Sequence, residues 1–166
     1  MQIKEGVTQG DPLAMIAYEI EVLPLIRELR SYHPQSTQPW YADDAGAGGT
    51  FQQVQAHFWD LQVRGPVRGY CPEPTKSILV VDPGNVAWAE DHFRGLGIWV
   101  VTGHHYLGGF IGDADAENEW LREKIRGWKE SVKLLAGVAH KHPQSAYAGL
   151  QNSFHHEWDF VQRMTP

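Results

Sequence analysis

Asp43 and Asp44 stand side by side between a strand-like approach, Pro39-Trp40-Tyr41, and an exit of small residues running to Gly49. Two adjacent carboxylates at a hairpin tip repel each other. Solvent screens such a pair, or a divalent cation neutralises it, since Mg2+ takes carboxylate oxygens together with water and substrate phosphates. Taken alone, an Asp-Asp turn also reads as an ordinary solvated turn. Three other segments carry residues suited to phosphate chemistry. Gly6, Gln9 and Gly10 in Glu5-Gly6-Val7-Thr8-Gln9-Gly10-Asp11 could bring backbone and amide groups close to a ligand, or form a plain Gly-rich turn before a helix. Lys76, in the run GYCPEPTKS from Gly69 to Ser77, could donate a proton or a positive charge, and equally reads as an exposed loop lysine. Tyr106-Leu107-Gly108-Gly109 heads a hairpin whose glycines permit close backbone approach and whose apolar residues could simply pack.

The elements that must position these groups follow from hydrophobic spacing. After a polar, turn-like start, Pro12 opens a helix with Leu13, Ile16, Ile20 and Leu23 on one face. Pro24 is expected to kink or interrupt it before Leu25, Ile26 and Leu29. The acidic turn predicts a hairpin of two short strands. Thr50 and Gln53 have capping-box spacing for a helix lined by Phe51, Val54, Phe58 and Leu61. Gly and Pro keep residues 64–76 irregular and lead into a buried strand, SILVV. Residues 86–95 predict a short helix, and IWVV with HHYLGGFIG predicts a pair of strands around Thr102 and Gly103. From Asp113, Leu121, Ile125, Trp128, Val132 and Leu135 mark a long amphipathic helix. Pro143 starts another, carrying Tyr147, Leu150, Phe154, Trp158 and Val161. The plan is an α+β domain followed by a helical hairpin.

Composition narrows the function classes. A chain of 166 residues, 42% hydrophobic and 20% charged, is globular rather than disordered. Its formal charge of −6 argues against a free-standing nucleic-acid binder that relies on phosphate attraction. The single Cys71 excludes an internal disulfide and suits a reducing compartment. No apolar run is long enough for a membrane helix and no signal peptide is evident, so an intracellular location, cytoplasm or nucleus, is expected. Nine histidines lack zinc-finger spacing. Asp113, Asp115, Glu117 and Glu119 lack the central Gly of a calcium loop and fit a helix N-terminus better.

In order, the Glu5–Leu13 segment, the Tyr41-Ala42-Asp43-Asp44 turn, the Lys76 segment and Tyr106–Gly112 resemble motifs B, C, D and E of reverse transcriptases, particularly those of retroelements without long terminal repeats. The resemblance spans about residues 5–112, and the last two helices resemble the thumb or connection less distinctly. It implies a partial palm over 1–112 and a thumb-like segment over 113–166, with an antiparallel palm sheet covered by helices on one face. It implies template-directed nucleotidyl transfer from deoxynucleoside triphosphates onto a primed RNA or DNA template, with Mg2+ or Mn2+ as cofactor. Asp43 and Asp44 would be the metal ligands and Lys76 the donor near the departing pyrophosphate. Gly6, Gln9, Gly10 and Tyr41 would lie near nucleotide and template, and Tyr106, Leu107, Gly108 and Gly109 would form the primer grip. In that family a further aspartate, on motif A, completes the metal site, and no residue here corresponds to it. The resemblance therefore implies a fragment, inactive alone and dependent on a fingers and palm segment. The alternative is a decayed element product acting, if at all, as a non-catalytic binding or interaction module.

Overall fold

The computed structural model describes residues 12–165. The chain divides into two compact units, Met1–Ser77 and Ile78–Pro166. The protein is of mixed α+β class, with six strands in three separate two-stranded ladders among the described residues.

In the first unit, helix α1 (Ala14–Tyr32) runs through Pro24 without interruption. This differs from the expected break. Pro24 lies on the exposed face, while Val22, Leu25 and Leu29 on both sides of it are buried, so packing keeps both halves helical across the missing backbone donor. Strands β1 (Trp40–Tyr41) and β2 (Asp44–Ala45) pair antiparallel, and the ribbon continues outward to a bridge between Thr37 and Gly48. Helix α2 (Phe51–Arg64) starts at the expected capping box: Gln53 N–H donates to Thr50 Oγ1, and Thr50 N–H donates to Gln53 Oε1 at 2.9 Å. Leu25, Leu29 and Leu61 join α1 to α2, and Trp40, Ala45 and Tyr70 pack on them. Each buried leucine stabilises the unit by roughly 1.5–3 kcal/mol. Arg64 adds an ion pair with Glu28 at 2.5 Å.

In the second unit, β3 (Ile78–Val80) pairs in parallel with β4 (Trp99–Val101), and α3 (Val86–Phe93) forms the crossover. Leu79, Val81, Ala89, Phe93 and Leu96 are its buried residues. Strands β5 (Gly103–Tyr106) and β6 (Gly109–Gly112) form an antiparallel hairpin of their own. Two expectations are corrected here. The IWVV strand pairs in parallel with β3 and not with the following hairpin, and among the described residues the strands form no multistranded antiparallel sheet. Each ladder ends after two strands. The physical reason is the helical connection between β3 and β4, which returns the chain to the start of the strand and so imposes parallel pairing.

Helix α4 (Ala114–Ala139) is capped by Asp113, whose Oδ1 accepts from Asp115 N–H at 2.9 Å and Ala116 N–H at 3.1 Å. The Ala116 bond first, then a bond from the Thr102 side chain and the Asp115 bond, hold the Asp113 carboxyl below the usual carboxylate range. The return arm starts at Pro143 as expected, but comprises α5 (Pro143–Gly149), a π-helical turn at Leu150–Phe154 and α6 (His155–Met164). The wider turn coincides with the burial of Phe154 against Trp128, and Trp128 stacks on Trp158 with ring centroids 5.9 Å apart.

Candidate functional site

Ala42 and Asp43 form the two-residue loop of the β1–β2 hairpin. Ala42 has φ +52° and Asp43 a negative φ, the φ pattern of a type II′ turn, whose first position normally takes glycine. Tyr41, Asp43 and Asp44 are all exposed, so the turn presents both carboxylates to solvent. Below them lies a collar of aromatic residues. The Tyr70 hydroxyl donates to the Asp43 carbonyl oxygen at 3.1 Å, and the Tyr70 ring meets Trp40 edge-on at 5.5 Å. Gly65 makes this possible, because a Cβ there would collide with the Tyr70 carbonyl. Burial, reinforced by Tyr18 and the two aspartates, pushes the Tyr70 phenol up to about 12. Tyr18 on α1 is raised as well, by burial first and then by Asp43 and Asp44. Both phenols are thus held neutral beside the acidic pair.

The structure brings together Asp43, Asp44 and Tyr41 at one tip, with Tyr70 from the Lys76 segment and Tyr18 from the helix that follows Pro12. Tyr18 and Tyr70 were given no role in the sequence reading. The signal available is that Tyr70 lies in the segment containing Lys76, next to Gly69. Lys76 itself ends a 3-10 turn, Pro74–Lys76, and is exposed. The carboxylate its charge acts on is Glu73, which accepts from Thr75 N–H and Thr75 Oγ1 and whose carboxyl is lowered chiefly by those two bonds. Gly6, Gln9 and Gly10 lie outside the described residues.

Tyr106, Leu107, Gly108 and Gly109 form the tip of the β5–β6 hairpin in the second unit. Leu107 (φ +49°) and Gly108 (φ +85°) have the φ pattern of a type I′ turn. The open side of each glycine is occupied by α6: a Cβ at Gly108 would come within 2.9 Å of Phe160, and one at Gly109 within 3.1 Å of Met164. The glycines therefore serve close packing of a helix on the hairpin.

Adjacent carboxylates have the oxygen chemistry a hard divalent cation takes. Among the described residues, however, no third His, Cys, Asp or Glu joins them in a group that could hold a metal ion. The two aspartates do not by themselves make up such a centre. No helix among the described residues is long and apolar enough to cross a membrane. Comparison of the chain with protein-family models, with curated proteins and with solved structures found no match.

Proposed function

We propose that this chain is the palm and thumb portion of a reverse-transcriptase-like RNA-directed DNA polymerase, inactive alone. The observation that carries the reading is the meeting of segments that the motif order separates by more than twenty residues. The Tyr70 hydroxyl, from the Lys76 segment, is bonded to the carbonyl of Asp43, and Tyr18, beyond the Glu5–Leu13 segment, lies within electrostatic reach of the same turn. A polymerase needs its catalytic carboxylates exposed on a rigid tip, and this turn carries two exposed carboxylates over a half-buried aromatic base. Its other needs are a third carboxylate and a basic duplex-binding surface, which a chain of charge −6 must obtain from another segment. The same charge favours the second reading, a non-catalytic interaction module.

Primer extension separates the two. The purified chain should bind Mn2+ or Mg2+ weakly and add no nucleotide to a primed RNA or DNA template. Joined to the upstream coding sequence of its reading frame, it should gain metal-dependent nucleotide addition. Asp43→Asn, equal in size but uncharged, should abolish that addition with folding intact. Lys76→Ala should slow single-turnover incorporation by about 100-fold to 10,000-fold, the usual worth of general acid assistance. Extension by the 166-residue chain alone, lost on Asp43→Asn, would refute the need for a further carboxylate. Absence of activity in the joined protein would favour the interaction module.

A further inference from the structure

In the second unit, α4 and the α5–α6 arm cover only part of each other's apolar surface. Leu121, Ile125, Trp128, Val132, Leu135 and Ala139 follow one another at alternating steps of four and three, the spacing of a helix–helix seam. Yet no residue of α4 is buried, and Ile125 and Val132 remain 38% and 45% exposed. Between α4 and α6 runs an open groove of about 600 Å³ with an apolar floor that includes Ile125, Trp128, Phe154 and Trp158, and with Lys129 and Lys133 on its rim.

The charges beside this groove are ordered along the helix. Asp115, Glu119, Arg122, Arg126, Lys129 and Lys133 form a second stripe, one residue on from the apolar one, acidic at its start and basic through the rest. Over residues 113–123 there are five acids and one base, and over 124–142 five bases and one acid. Acids near a helix start and bases near its end also favour the helix dipole, but that effect fades within the first and last turns, whereas Glu119, Glu123, Arg126 and Lys129 lie well inside.

We propose that the groove is filled by a second copy of this chain, the two helical hairpins joining as an antiparallel four-helix bundle about a twofold axis. Antiparallel pairing sets Asp115 and Glu119 of one copy opposite Lys133 and Lys129 of the other, and the axis repeats the match at the far end. The same register sets Arg122 of one copy opposite Arg126 of the other near the axis, a like-charge pair that Glu119, 3.5 Å from Arg122 on its own helix, partly offsets. The bundle also covers the apolar stripe that one hairpin leaves half open. Residues 1–11 are a poor occupant, since their sequence is polar and carries no helical apolar stripe. The inference is independent of the polymerase reading.

Sedimentation equilibrium on the whole chain tests it, with far-UV circular dichroism recorded on every variant. The wild-type protein should sediment at twice its 18.8 kDa monomer mass in low salt and dissociate more readily as salt screens the charge pairs. Val132→Glu, at a groove position already partly exposed, should raise the dissociation constant at least about tenfold, the equivalent of about 1.4 kcal/mol, with helicity retained. Lys129→Glu and Glu119→Lys should each weaken the dimer several-fold, and the double variant should restore it, which a loss of folding could not do. A wild-type chain that stays monomeric into the high micromolar range overturns the proposal. So does a dimer indifferent to Val132→Glu and to the charge exchange, since its interface would lie elsewhere.

Discussion

At the residue scale, the acidic turn is held by a strained alanine and a half-buried phenol. Ala42 adopts φ +52°, a left-handed conformation that costs an L-residue roughly 1–2 kcal/mol and glycine almost nothing. Glycine gives back part of that difference through its freer unfolded chain, about 0.4–1 kcal/mol. Ala42→Gly is therefore expected to stabilise the protein by up to about 1 kcal/mol, and Ala42→Val to destabilise it by at least as much as the left-handed penalty. Urea titration of the three proteins gives the order directly. An Ala42→Gly protein less stable than the parent would mean that the Ala42 methyl packs more than its half-buried position suggests. Alanine at this position leaves the tip that carries Asp43 and Asp44 less free than glycine would.

At the element scale, the β5–β6 hairpin and α6 are held together through absent side chains. Gly108 combines φ +85° with a Phe160 ring 2.9 Å from where a Cβ would stand. Gly108→Ala thus adds backbone strain to a clash, and a loss of about 1–3 kcal/mol is expected. Trimming the obstruction tests the cause. In Gly108→Ala with Phe160→Ala, the strain persists but the clash is gone, so the double variant should be more stable than the sum of the singles. Strict additivity in thermal unfolding would show that Phe160 yields without cost. A hairpin tip built to receive a helix this closely also limits what else can lie against Gly108 and Gly109 from that side.

On the scale of the folded units, the earliest loss of stability on acidification is expected in the first. His57 is 2% exposed, neither ring nitrogen has a partner among the described residues, and burial beside His33 lowers its pKa to about 4, with Asp60 opposing. His33 meets His57 edge-on at 5.6 Å and is bonded to Asp60 at 2.8 Å, so an added proton on His57 would enter an apolar site next to another imidazole. The folded pKa is below the ordinary value of 6.5, so the unfolded chain takes up the proton first. Stability is complete above pH 6.5 and declines as the pH falls from 6.5 towards 4, by on the order of 2 kcal/mol. Chemical unfolding of the wild type and of His57→Phe at pH 7 and pH 4.5 should show a loss that the variant largely lacks. Equal losses in both would assign the acid sensitivity to other groups. Carboxylates such as Asp113, held below their usual range, give up their stabilisation only at still lower pH.

Elements governed by local rules were legible in the sequence. The Thr50–Gln53 box, the Asp113 cap, the helix after Asn85, the turn at Asp43 and the hairpin around Leu107-Gly108 depend on residues within a few positions of one another, and the structure has each. The exposed position of Asp43 and Asp44 was legible for the same reason, since a two-residue loop between short strands projects its side chains. Pairing was not legible. Strand sequences such as ILV and WVV suit parallel and antiparallel neighbours alike, and only the path of the intervening helix made β3 and β4 parallel. The helix is not interrupted at Pro24, because the proline's cost is local while the burial of Val22, Leu25 and Leu29 that outweighs it is tertiary. Likewise, Tyr18 and Tyr70 became neighbours of the acidic turn only when α1, the hairpin and the loop after α2 closed on one leucine cluster. Sequence alone determined which segments form elements and where the carboxylates stand, because those depend on neighbours along the chain. Tertiary structure decided what surrounds them, because burial is shared among residues far apart in sequence.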